Sequence, residues 1–165
     1  MSTCVAFLRA INLGAKRKFP KDDVVAVTEA AGFTGVTTHL NTGNVRLETA
    51  LRSRAKIEAA LEAAYLDDRG FEVPTMVYAC ADLVEVAAEA ARLGEGHTGK
   101  QFVSLLKAEP DAGAAAALEA RSTEGERAIV SGRAVHLLLG EAYREATISN
   151  AVVERHLGVA TNRSE

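Results

Sequence analysis

Hydrophobic periodicity along the first 78 residues changes in a set order, and that order constrains the fold more than any other feature of the chain. Residues 3–9 are apolar on both faces, with Cys4, Ala6 and Leu8 alternating against Val5 and Phe7, the pattern of a central strand covered on both sides. A loop over 11–19 carries Gly14 and the basic run Lys16, Arg17, Lys18, and ends at Pro20, a residue suited to the first position of a helix. In the helix that follows, Val24, Val27, Thr28 and Ala31 share one face and Gly32 supplies a C-terminal cap. Two β-rich runs, 36–40 and 45–48, flank Asn41-Thr42-Gly43-Asn44, whose residues tolerate the positive φ of a tight turn, so a hairpin is expected. Ser53 then caps a second helix in which Ile57, Leu61 and Tyr65 recur every fourth position until Asp67, Asp68, Arg69 and Gly70 end it, and residues 71–78 read as a strand.

Strand, helix, hairpin, helix, strand is the split βαβ unit of the ferredoxin-like fold, in which right-handed crossovers put both helices on one face of an antiparallel sheet. Beyond residue 79, Asp82 and Glu85 have the spacing of a capping box for a linker helix carrying Leu83, Val86, Ala87 and Ala90 and stopping near Gly94. The pattern then recurs, with a strand over 101–107, a helix opening at Pro110, strands over 128–130 and 134–139 around Ser131-Gly132, and a helix over 149–157. This is the first unit again without its last strand. The expected architecture is therefore α+β, with two ferredoxin-like subdomains related by duplication, antiparallel sheets and helices packed on them. The first subdomain covers residues 1–78; the second, with the linker helix, covers 79–165 and is short or truncated at its C-terminal part.

Composition narrows the function classes. With 48% hydrophobic and 25% charged residues the chain has the balance of a globular protein. Nineteen basic residues against 22 acidic ones leave a net charge of −3, so no global field draws it to nucleic acid or anionic lipid, and any anion site must be local. Ferredoxin-like units that bind RNA stack bases on aromatics of the central strands; here the first strand offers Phe7 and residues 45–48 offer none, which disfavours a nucleic-acid partner. The two cysteines, Cys4 and Cys80, form no close-spaced motif and point to a reducing, cytoplasmic setting. The start of the sequence turns charged at Arg9 too early for a signal peptide, and no stretch approaches the roughly 18 apolar residues of a membrane span, so no membrane partner is expected.

Several motifs fail on context. Gly94-Glu95-Gly96-His97-Thr98-Gly99-Lys100 matches two phosphate-binding patterns, but those work by delivering a strand to a helix N-terminus, whereas here a helix enters and a strand leaves. The histidines His39, His97, His136 and His156 are scattered without metal-ligand spacing and read as strand or helix-surface residues, so neither a metal nor a cofactor is expected. Cys4 lies mid-strand with no adjacent base and reads as a core residue. No nucleophile elbow or paired-histidine motif is present, and whether the protein is an enzyme stays open.

What remains is the loop after the first strand and the hairpin turn. In an antiparallel unit of this kind the end of the first strand meets the start of the third, so Arg9, Asn12, Asn41, Gly43 and Asn44 are expected to converge. Gly14 and Lys16 lie in the same loop, where Lys16 to Lys18 add positive potential. A guanidinium, carboxamides and glycine-exposed amides form a site for an anionic or polar ligand. The same residues also suit a purely structural role, in which Asn41, Gly43 and Asn44 build the turn while Arg9 and Asn12 tie the loop down.

The run Phe7-Leu8-Arg9-Ala10-Ile11-Asn12-Leu13-Gly14-Ala15, followed by Ala31-Gly32-Phe33, Val36-Thr37-Thr38 and Leu40-Asn41-Thr42-Gly43-Asn44-Val45, resembles the bacterial domain of unknown function family 1697. Ser149-Asn150, Leu157-Gly158-Val159 and Thr161-Asn162-Arg163 fall where that family has its final helix and a T-x-R segment, which extends the resemblance over essentially the whole chain. The resemblance implies two ferredoxin-like subdomains, no established activity, and Arg163 as a further candidate ligand contact. Ala10 and Ala15 stand where the family usually has glycine, which weighs against close backbone approach to a ligand there. The family's T-x-R segment leads into a tryptophan, whereas here Ser164 and Glu165 follow Arg163, so a site needing that tryptophan would be incomplete. Two functional readings follow: binding of a small anionic or polar molecule at the loop and turn, or a non-catalytic interaction or assembly module that includes homo-oligomers.

Overall fold

The computed structural model describes residues 1–39, 43–158 and the backbone of 161–164. The chain divides into two compact units, Met1–Leu83 and Val84–Glu165. The first contains β1 (Ser2–Leu8), α1 (Lys21–Ala30), β2 (Thr34–His39), β3 (Asn44–Thr49), α2 (Arg54–Arg69) and β4 (Thr75–Ala79). Its sheet has the order β2-β3-β1-β4 with every pairing antiparallel, which is the ferredoxin-like arrangement. Helix α3 (Cys80–Leu93) leads into the second unit, which holds β5 (Lys100–Leu106), α4 (Ala112–Glu119), β6 (Glu126–Ser131), β7 (Ala134–Leu139), α5 (Asn150–Leu157) and β8 (Thr161–Ser164). Its sheet order, β6-β7-β5-β8, repeats the first position for position.

In the first unit Ala6, Leu8, Val45, Leu47 and Val77 meet Val24 of α1 and the Ile57, Leu61 and Tyr65 face of α2 in one core. Burying each of the larger aliphatic side chains contributes about 1.5–3 kcal/mol, which is why the four-residue spacing along α2 outweighs its otherwise polar composition. Ser53 accepts the Lys56 N–H at 3.3 Å at the start of α2, and Gly70, at φ 78°, closes it in the left-handed conformation. The two helices are joined by a buried polar contact: Thr28 Oγ1 donates to the Val24 carbonyl and lies 2.8 Å from the Tyr65 hydroxyl. At the outer edge of the sheet, the buried Glu58 carboxylate accepts the Val77 N–H of β4 at 2.9 Å, so a side chain of α2 occupies a hydrogen-bonding position that would otherwise be open for another strand.

The second unit has its own core, in which Phe102, Leu106, Val135, Leu137 and Leu139 of the sheet meet Leu118 of α4 and Val152, Val153 and Leu157 of α5. Ser149 caps α5 by accepting the Val152 N–H, and Gly158, at φ 64°, ends it.

Four expectations from the sequence are corrected. The repeat does not lack its last strand: β8 pairs antiparallel with β5, Arg163 opposite Ser104. Helix α3 starts at Cys80, two residues before the expected cap, because Ala81 continues the helical run backwards; Asp82 then lies in the first turn, where a carboxylate meets the positive end of the helix dipole. Helix α4 opens not at Pro110 but at Ala112, two residues later, behind the N-cap Asp111, whose carboxylate accepts the Ala114 N–H at 3.1 Å. His136 is not a surface residue: it is buried on β7, its Nδ1 has no hydrogen-bond partner among the described residues, and burial holds its pKa below the ordinary histidine value. No helix among the described residues is long and apolar enough to cross a membrane.

Candidate functional site

The exit of β1 is fixed from both neighbouring strands. The Leu8 N–H donates to the Gly43 carbonyl at 2.8 Å, and the Arg9 N–H donates to the Pro74 carbonyl at 2.9 Å. Gly43 has φ 85°, and a Cβ there would lie 2.8 Å from the Leu8 carbonyl oxygen and 3.1 Å from Ile11 Cδ1. Only glycine allows the hairpin turn to seat this closely on the strand. Asn44, half-buried, opens β3 directly opposite Phe7 and beside His39 of β2. Gly43, Asn44 and the backbone of Leu8 and Arg9 are thus brought together. Asn41 lies outside the described residues.

From Arg9 the chain enters a loop whose backbone is unusual. Ala10, Asn12 and Arg17 have φ of 61°, 53° and 55°, and Gly14 has φ 60°. Left-handed conformations in residues other than glycine cost about 1–3 kcal/mol each, so the surroundings must over-determine this shape. They do so in three ways. The Asn12 N–H donates to the Arg17 carbonyl at 2.8 Å and the Lys16 N–H to the Leu13 carbonyl at 3.0 Å, making a small hairpin with Gly14 and Ala15 at its tip. The Asn12 carboxamide is paired at both ends with Phe19, accepting its N–H at 2.8 Å and donating to its carbonyl at 3.0 Å. Phe19 itself is fully buried, edge-on to Tyr65 at 5.2 Å.

The third clamp is Arg17. Its guanidinium donates to the Ala10 carbonyl and to the Glu72 carbonyl, and it lies over the Phe71 ring at 4.6 Å. One cation of the basic run is therefore spent on holding the loop against the segment before β4. Lys16 and Lys18 are exposed, as is Gly14, and Leu13 at the tip is 56% exposed. Arg163 stands on β8 of the second unit, opposite Ser104. Among the described residues no group of three or more His, Cys, Asp or Glu is placed to hold a metal ion.

Such a scaffold is that of an α+β protein of two ferredoxin-like units, the first presenting a clamped basic loop at the end of its central strand. The chain belongs to the family described as "Protein of unknown function (DUF1697)", whose model matches residues 1–136. It is also similar in structure to a conserved bacterial protein, SP0830, from Streptococcus pneumoniae, with a TM-score of 0.76 at 16% sequence identity over 99% of this chain and 93% of that one. At this identity the likeness is one of fold. No curated protein matches the sequence.

Proposed function

We propose that the protein binds a small anionic or polar molecule at the loop after β1 and the Gly43 turn. The observation that carries this reading is the backbone of the loop: Ala10, Asn12 and Arg17 are held at positive φ and fastened by the Asn12 carboxamide within the loop and by the Arg17 guanidinium, which ties Ala10 to the Glu72 carbonyl before β4. Strain of this kind, kept in place by the surroundings, is characteristic of sites that need a pre-organised backbone. Asn12 acts here by holding the shape of the loop. Arg9, Lys16, Gly14, Gly43 and Asn44 supply the guanidinium, ammonium, amide and carboxamide groups from which an anion site is made.

Two further inferences attach to the whole chain. The shared order of sheet strands and the matching β-α-β-β-α-β succession within the units support an origin by duplication. The two free cysteines, Cys4 buried and Cys80 exposed, suit a reducing compartment such as the cytoplasm. The exposed Leu13 at the loop tip favours one alternative, in which the loop docks on a protein partner or a second copy of the chain without catalysis.

Thermal unfolding against nucleotides, sugar phosphates and carboxylates separates the two. A ligand at about 100 times its dissociation constant adds roughly 2.7 kcal/mol, a rise of about 5–10 °C in Tm for a chain of this size. A rise lost in Arg9→Ala and reduced in Lys16→Ala supports the anion site. A flat panel, with self-association that weakens in Leu13→Ser, sinks it in favour of the docking loop.

A further inference from the structure

At the opposite end of the first sheet, where β1 begins and β4 ends, a cavity of about 440 Å³ opens beside the start of α2. This falls within the range of small-molecule sites, about 300–1,000 Å³. Its floor is apolar and comes from the core itself: Cys4, Ile57 and Val77 line it and are all buried. At the rim Leu51 is 41% exposed, a large apolar side chain left against water beside an apolar floor. Two further lining residues, Arg52 and Arg54, flank Ser53, the N-cap of α2. The first turn of that 16-residue helix carries no acidic side chain, so the positive end of its dipole adds to the two guanidinium groups. Asp82, in the first turn of α3, is the one acidic lining residue among the described residues. It marks the part of the wall that an anionic group would avoid. The Cys4 thiol, its pKa raised by burial and by the nearby Cys80 and Asp82, stays neutral and belongs with the apolar floor.

We propose that this cavity is a second binding site, for a small amphipathic anion: a short hydrocarbon body seated on Cys4, Ile57 and Val77, with a terminal carboxylate or phosphate turned towards Arg52 and Arg54. The site is separate from the loop at the other end of β1 and does not rest on it. The thiol in its floor makes occupancy directly measurable.

The test uses the full chain carrying Cys80→Ser, so that Cys4 is the only thiol, and follows alkylation of Cys4 by the uncharged reagent N-ethylmaleimide. Octanoate and octyl phosphate are expected to slow the reaction tenfold or more at saturation, and the better of the two names the acid group. Octan-1-ol should need at least tenfold higher concentration for the same protection, inorganic phosphate should give none, and the exposed substitution Arg52→Gln should raise the half-protecting octanoate concentration several-fold. Equal protection by octan-1-ol, indifference to Arg52→Gln, or no protection by either acid overturns the proposal. If folded Cys4 resists alkylation, backbone amide NMR shifts under octanoate titration take its place: changes centred on Ser2, Cys4, Arg54 and Val77 support the site, and their absence overturns it.

Discussion

Ala10 carries a backbone conformation that its side chain disfavours, and its φ of 61° is held by the clamp of Arg17 on its carbonyl. The left-handed region costs an L-residue roughly 1–2 kcal/mol, while glycine costs about 0.5–1 kcal/mol in unfolded-state entropy. Ala10→Gly is therefore expected to stabilise the protein by up to about 1 kcal/mol in urea unfolding, against the usual sign of an alanine-to-glycine change; a loss of stability would show that the strain is relieved elsewhere. His136 makes a second test at this scale. Burial lowers its pKa from 6.5, with Glu89 opposing and Arg92 adding to the shift. The unfolded chain then takes up a proton that the folded one refuses, so its contribution to stability is full above pH 6.5 and is lost as pH falls through that value towards the folded pKa. Unfolding curves between pH 7.5 and 5 should steepen in their pH dependence below 6.5, and His136→Phe should remove that component. Neither the burial of His136 nor the role of Arg17 was legible in the sequence. A histidine among Val135 and Leu137 looks the same whichever face is covered. Arg17 looks like one charge in a basic run, because its partner Glu72 lies 55 residues away. The Gly43 turn, by contrast, was legible because positive φ restricts residue type at the position itself.

At the level of elements, periodicity carried most of the reading, and its failures share a cause. The buried stripe of α2 and the central position of β1 both rest on side chains that repeat with the period of their element. Strand β8, Thr161–Ser164, is four polar residues long and alternates nothing; its partner β5 defines it, not its own sequence. The same dependence on a partner governs the edge at β4. Removing the carboxylate that accepts the Val77 N–H in Glu58→Ala should cost about 1–3 kcal/mol, the penalty for a buried donor left unsatisfied. Glu58→Gln keeps an acceptor and should cost clearly less. Amide hydrogen exchange at Val77 checks the mechanism: faster exchange in Glu58→Ala than in Glu58→Gln is expected, whereas equal rates would mean that the cost lies in packing alone.

For the whole molecule, the two units share one topology, and each builds its own core. The overall fold survives where sequence does not, as the 16% identity and TM-score of 0.76 to the Streptococcus pneumoniae protein show. A ferredoxin-like unit asks only for apolar residues at the right period and for turns at the right places, which many sequences satisfy. The loop after β1 is different, because its clamps need particular residues: a carboxamide at Asn12 and a guanidinium at Arg17. The chain thus combines a tolerant scaffold with one exacting segment. The scaffold's division into two cores can be tested by a double-mutant cycle. Leu61→Ala in the first core should cost about 2–5 kcal/mol and Ile148→Val in the second about 0.5–1.5 kcal/mol. Since the cores share no residue, the double variant should lose the sum of the two to within about 0.5 kcal/mol in urea unfolding. Additivity is read from a single unfolding transition; a larger coupling energy would mean that a change in one core is felt in the other, and two separate transitions, each shifted by one substitution alone, would mean that the units unfold independently.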